Sequence, residues 1–467
     1  MYKQMLFYEG EELGKFESEQ FENIKQTKFG VVVDIIRNSI LLGLPLLCTV
    51  LKTTISFILI GNYSNLQDLI SIQIGILYLN FFGYFLIYGS LNIFTANALH
   101  ISDIYNDVKF QKLYMKAKYT IYFYILMIVV PMSLFSYYIF DLLLFFDKDE
   151  NTLDNATHFI HLGIFIVLVN SLKNLNYKVL YLTHRENWIR NLSLLSIAIH
   201  FGFSFLFVNF LDSKIDSIAY SLFITDFTCF VISTVIIKKS LQGMNIFFSG
   251  DFNITFSSLR IYIKTTFYEA LLNFFESSYL TFILFFSIFL DNISFATNII
   301  MYNAISLFIA VFAGITAYYA KVLYLKSEHD RKIYNHSFIF LSLFISFLMS
   351  IVLLILKNNL GYIYVSDSQV SENFIDLVKF YSICIFIDYM NLMCDEYIKG
   401  NEIYDYLHIL IPSVYLIIVL PISLLISFRW EKGFYGFWIG YFIFITTHLL
   451  IDLYFIIKDY VQNIEIW

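Results

Sequence analysis

Apolar runs of more than twenty residues recur along the whole chain, and a run of that length satisfies its backbone hydrogen bonds in a bilayer only as a helix. Measured against the length needed to cross a bilayer, they fall at 36–61, 70–96, 118–141, 158–182, 190–211, 217–238, 260–290, 294–320, 335–357, 374–399, 407–427 and 434–457. The runs lack the ten-residue alternation of a transmembrane barrel. The expected fold is therefore all-α and integral to the membrane, with twelve transmembrane helices. Only 14% of the residues are charged and 58% are apolar, against about 25% charged in soluble domains. No stretch is long enough for a separate soluble domain, which excludes a soluble enzyme. A net charge of −7 without a long basic block argues against nucleic acid as a partner. Cys48, Cys229, Cys384 and Cys394 lie inside apolar stretches, so buried thiols are expected, with no disulfide framework and no metal knuckle.

Residues 1–35 form an acidic tail (Glu9, Glu11, Glu12, Glu17, Glu19, Glu22) without the basic start and short apolar core of a signal peptide. Lysines and arginines cluster between even and odd spans, at Lys109 to Lys118, Lys178 to Arg190, Lys238 to Arg260 and Lys321 to Lys332. Counting the termini, about 21 lie on that side against about 5 on the other, which places both termini in the cytoplasm. The sequons at Asn62, Asn155 and Asn292 then face the opposite side.

The stretch from Phe146 to Asn155 resembles the stretch from Tyr364 to Asn373, nearly half the chain later, and each leads into a span entered from outside. Halves of shared topology are related by a pseudo-two-fold axis along the membrane normal. This divides the chain into a tail (1–35), an amino-terminal lobe of spans one to six (36–238), a cytoplasmic linker (239–259), a carboxy-terminal lobe of spans seven to twelve (260–457) and a short tail (458–467). Two six-helix lobes would face each other across a central cavity.

Several spaced residues sharpen this picture. Pro45 is followed by Gly61; Asn80, Gly83 and Gly89 form an Asn-x-x-Gly-x5-Gly pattern; Gly361 to Val370 forms the loop before span ten; Asp388 is followed eleven residues on by Lys399-Gly400; and Pro421 precedes the Gly436 to Gly440 run. In their order and spacing these resemble the multidrug and toxic compound extrusion (MATE) family of antiporters, in a divergent eukaryotic-type form. The resemblance implies a multidrug exporter that works by alternating access. Asn92 to Asn97 and Lys321 to Tyr324 depart from the family's pattern at positions that line or close its cavity, and Asn303 stands where animal members have Glu.

Ionisable residues inside spans need a cavity, a partner or a function, because a mid-membrane charge costs at least about 2.5–3.5 kcal/mol. Glu276, sixteen residues past Arg260, and Asp388 lie deep in spans seven and ten. Both match acids of the family, and a pair of such carboxylates can exchange a proton for a cation; the bland alternative is a neutral acid that pins two helices. Lys52, Lys173 and Asp226 fall inside spans of the amino-terminal lobe and match nothing in the family pattern. They read as a buried charge network, or as lysines that make that half attractive to an anionic or zwitterionic substrate. His200 reads as a packing residue. The amides Asn80, Asn273, Asn303 and Asn391 can line a substrate cavity without a charge cost, and Tyr302 beside Asn303 could hold a cation on its ring.

The function expected is secondary active antiport: export of amphipathic, cationic small molecules in exchange for protons, preferred over sodium. A run of the Gly-x4-Gly-Lys-Ser/Thr type is missing from the sequence, so direct use of ATP is not expected, and neither is any cofactor or metal. The partners expected are the substrate and the bilayer, with the chain acting as a monomer. One alternative is an uncoupled or lipid-linked flippase, or an anion transporter, on the related superfold. Another is a membrane-embedded transferase, for which His158 and His161 offer too little.

Overall fold

Short polar side chains set where the helices begin. The computed structural model describes residues 28–98, 108–144, 148–183, 185–211, 213–240, 255–277, 279–325, 328–400 and 407–465, and these are helical with no strand among them. The helices are α1 (Lys28–Tyr63), α2 (Leu66–Leu79), α3 (Phe85–Ala98), α4 (Val108–Leu144), α5 (Glu150–Leu182), α6 (Glu186–Phe210), α7 (Lys214–Ser240), α8 (Phe256–Ser277), α9 (Tyr279–Ser287), α10 (Asn292–Leu325), α11 (Glu328–Tyr364), α12 (Ser368–Gly400), α13 (Leu407–Val414), α14 (Leu420–Leu424) and α15 (Phe434–Glu465). Asn65 caps α2 by accepting from the Asp68 amide at 2.8 Å. Asp291 likewise accepts from the Ser294 amide at 3.0 Å as α10 begins. Such caps satisfy amides that have no partner inside their own helix.

The internal similarity noticed in the sequence has a physical content at these caps. Asp149 accepts from the Thr152 amide at 3.1 Å and starts α5, and Asp367 accepts from the Val370 amide at 3.0 Å and starts α12. The two aspartates are 218 positions apart, and the helices they start are both 33 residues long.

Nine described helical stretches are long and apolar enough to cross a membrane: Gly30–Tyr63, Glu150–Leu182, Glu186–Phe210, Lys214–Lys239, Asn292–Tyr319, Tyr334–Tyr364, Ser368–Ile398, Leu410–Arg429 and Phe434–Asp459. Large apolar side chains such as Phe340, Ile355 and Ile417 are exposed on them, as expected of helices whose solvent is lipid. The chain is a multi-pass integral membrane protein. The other runs read as spans behave differently. The run 70–96 is interrupted by a π-helical turn, Asn80–Tyr84, between α2 and α3. The run 118–141 lies inside α4, which begins earlier and carries Lys109, Lys112 and Lys116 on its first turns. The run 260–290 contains α8 and α9. Helix α1 also starts ahead of its apolar run, because Asp34 is anchored: its Oδ2 accepts from Tyr318 Oη at 2.6 Å and Tyr334 Oη at 3.0 Å.

The helices gather into two compact units. One holds α1 up to Val50, α10 from Asn303, α11 up to Tyr362, and α12 from Glu372 with α13 to α15; the other holds the rest of α1, α2 to α9, α10 up to Tyr302, and Ile363–Ser371. The amino-terminal tail and the linker 239–259 lie largely outside the described residues, whereas residues 458–465 continue α15. In the first unit α1 and α10 cross at Gly43 and Gly314, where a Cβ on Gly43 would stand 2.8 Å from the Gly314 Cα. Close backbone approach through small residues is how helices associate where lipid removes the hydrophobic drive. In the same unit Tyr389 of α12 stacks on Phe312 of α10 with ring centroids 4.0 Å apart. In the second unit Phe81, on the π turn, packs edge-on against Phe274, Phe282 and Phe285 at 5.5–5.7 Å. All four cysteines are free and buried.

Candidate functional site

Each unit encloses buried carboxylates, and two of them, Asp226 and Asp388, have opposite company. In the second unit, Asp226 on α7 faces α5 and α1. Its Oδ1 takes Lys52 Nζ at 2.8 Å and Lys173 Nζ at 2.7 Å, and its Oδ2 accepts from Asn170 Nδ2 at 2.9 Å. Lys52, Lys173 and Asp226 are 3%, 4% and 1% exposed, so one buried carboxylate faces two buried lysines, and among these three residues the formal balance is positive. Lys173 also stands 5.8 Å over the Tyr177 ring, which offers a cation–π contact. Beside the cluster, Ser56 donates to the Lys52 carbonyl at 3.0 Å and lies 2.9 Å from His200 Nε2. His200 is fully buried among Ser56, Ser204 and Ser221, a hydrogen-bonded packing role.

In the first unit, Asp388 on α12 is 4% exposed. Its Oδ2 accepts from Tyr441 Oη of α15 at 2.5 Å and from Tyr381 Oη of its own helix at 3.0 Å. Asn391, one turn on, donates to the Ile445 carbonyl of α15 at 2.9 Å. A further turn on, Asp395 Oδ1 lies 3.1 Å from His448 Nε2, which is also 3.3 Å from Asp452 Oδ2. A continuous polar seam thus runs between α12 and α15. The spacing that relates Asp149 to Asp367 also relates Asn170 to Asp388 and Lys173 to Asn391. At that spacing the same two positions of α5 and α12 carry the polar groups that meet α7 in one unit and α15 in the other.

The other sequence-selected residues are placed as follows. Glu276 and Asn273 lie on the backbone of α8, and their side chains fall outside the described residues. Asn80 opens the π turn, its backbone N–H donating to the Ile76 and Leu77 carbonyls. Tyr302 is half-buried and Asn303 is buried, near the middle of α10. His158 pairs with Asp216 at 3.0 Å. Sequence reasoning missed Asn170, Tyr381, Tyr441, Asp395, His448 and Asp452; the four charged or amide residues among them were available to the rule that polar groups inside a membrane need a reason.

The arrangement of helices resembles those of solved membrane transporters. A eukaryotic MATE transporter, AtDTX14, matches with a TM-score of 0.71 at 14% identity, over 91% of this chain and 96% of that one. An inward-facing multidrug resistance MATE transporter of the MOP superfamily matches with 0.65 at 11% identity, over 92% and 99%. A MOP-superfamily transporter from Pyrococcus furiosus, described as having a binding pocket of reverse polarity that suggests a different function, matches with 0.64 at 12% identity, over 92% and 96%. No family model matches the sequence, and no curated protein matches it. What these likenesses define is a multi-pass helical fold. More narrowly, this chain has the MATE fold, in a form divergent in sequence.

Proposed function

We propose that this protein is a secondary active antiporter that exports amphipathic, cationic small molecules in exchange for protons, by alternating access between two lobes of six spans each. The observation that carries the reading is Asp388. Its hydrogen-bond partners among the described residues are two tyrosine hydroxyls, which are neutral donors. A carboxylate so placed can take up a proton or a cation in turn, whereas Asp226 is already committed to two lysines. Glu276 is the second acid of the proposed coupling pair, and the energy comes from the ion gradient. The transporter fold favours this over a membrane-embedded transferase.

The test is flux of an organic cation in proteoliposomes under an imposed pH gradient. Uphill, gradient-dependent flux that is lost in Asp388→Asn supports the reading, and flux that ignores the gradient rejects it. A second reading, transport of anionic or zwitterionic molecules, is favoured by the excess positive charge at Lys52 and Lys173 and by the reversed polarity described for the Pyrococcus furiosus transporter. Competition by anions but not cations in the same assay would select it.

A further inference from the structure

The structure assigns a divalent metal site to the far end of the α12/α15 seam, built from Asp395, His448 and Asp452. These three side chains offer one imidazole nitrogen and two carboxylate oxygens, all within 4.8 Å of one another. The site departs from the sequence expectation of no metal, because its ligands come from two helices and form no motif.

Three features carry the assignment. The first is spacing: ligands about 2.0–2.1 Å from a common metal in tetrahedral arrangement lie about 3.3 Å apart. His448 Nε2 stands 3.1 Å from Asp395 Oδ1 and 3.3 Å from Asp452 Oδ2. One imidazole nitrogen facing two carboxylates can share at most one hydrogen between them, but it can share a metal with both. The second is charge. Asp452 is 0% exposed, and the side chains of His448 and Asp395 are 12% and 23% exposed, so two carboxylates stand close together at a largely buried imidazole. A divalent cation neutralises both. The third is Asn391, which is 4% exposed and uses its amide nitrogen on the Ile445 carbonyl, leaving its Oδ1 buried without a partner. It sits on the same seam one turn before Asp395, an oxygen acceptor left buried beside the three. Asp395 is the most exposed of the three, while Ile398 and Phe455, with Leu410, Ile411 and Ile451, form an apolar cluster one turn further along. A nitrogen with oxygens suits first-row ions such as Zn²⁺ or Mn²⁺ better than Mg²⁺ or Ca²⁺.

The experiment uses the full-length protein in detergent, stripped with a chelator and titrated with Zn²⁺ and, separately, Mn²⁺ by calorimetry, with bound metal counted by elemental analysis. One equivalent of either ion is expected, together with a metal-dependent rise in thermal stability. Co²⁺ should give visible d–d bands in the same site. His448→Gln and Asp395→Asn should each weaken binding by on the order of 100-fold. Asp395 is the most exposed of the three, so its variant reads the site even if changes at Asp452 impair folding. Absence of stoichiometric binding of both ions, or binding unchanged in His448→Gln and Asp395→Asn, would overturn the assignment. The readout is binding, so it stands or falls separately from proton coupling at Asp388.

Discussion

Tyr441 of α15 donates its hydroxyl to the Asp388 carboxylate of α12 at 2.5 Å. This bond ties the acid proposed for coupling to the neighbouring helix through a group that carries no charge. Asp388→Asn keeps the shape and most of the hydrogen bonding but removes the exchangeable proton, so it should abolish uphill flux in proteoliposomes while the protein elutes as a folded monodisperse peak. Tyr441→Phe removes one donor, and a hydrogen bond to a charged group contributes about 1.5–3 kcal/mol. It should therefore retain flux and displace its pH profile. An unchanged profile in Tyr441→Phe would mean that the bond plays no part in coupling.

The cluster around Asp226 makes a different prediction. Removing the single acid leaves two buried lysines without their counter-charge, and breaking a buried pair in this way costs about 3–5 kcal/mol. Asp226→Asn should thus unfold at a clearly lower temperature than wild type. Lys52→Met leaves the Lys173–Asp226 pair intact and balanced, so it should cost much less. Combined with Asp226→Asn, it should recover part of the lost stability. Additive effects in the double variant would show that the three residues do not act as a unit.

The paired caps predict similar responses at Asp149 and Asp367. Asp149→Ala and Asp367→Ala each remove the acceptor for a first-turn amide, at a cost of about 0.5–2 kcal/mol. Each accepts one bond more, Asp149 from the Thr152 hydroxyl at 2.8 Å and Asp367 from the Gln369 amide at 3.0 Å, so the two losses should be alike. Thermal unfolding of the two variants decides this. No effect at either would detach the sequence similarity from any shared role.

The charge bias predicts cytoplasmic termini. Tags at the first and last residues should both be protected from an impermeant label in right-side-out vesicles. Labelling of only one would break the even span count.

Much of the fold was legible because a bilayer imposes a length on every apolar run, and the intramembrane charge rule picked out Lys52, Lys173 and Asp226 before any distance was known. Other features leave no trace in a linear reading. The π turn at Asn80–Tyr84 alters the backbone ladder without altering composition. The start of α1 was hidden because Asp34, Arg37 and Asn38 interrupt hydrophobicity but not the helix. Tyr381 and Tyr441 are two of 36 tyrosines, and only the packing of α12 on α15 distinguishes them. Asp395 and His448 are 53 positions apart, so their meeting depends on two parallel helices in register.

The crossing of α1 and α10 at Gly43 and Gly314 leaves no room for even a methyl group. Leucine at either position would act as a wedge and lower the yield of folded protein, with no bearing on what the surviving molecules recognise. A genetic screen scored by survival under a toxic compound would file such variants beside Asp388→Asn. Only a measurement of protein abundance in the membrane would tell a failure of packing from the loss of the proposed coupling acid.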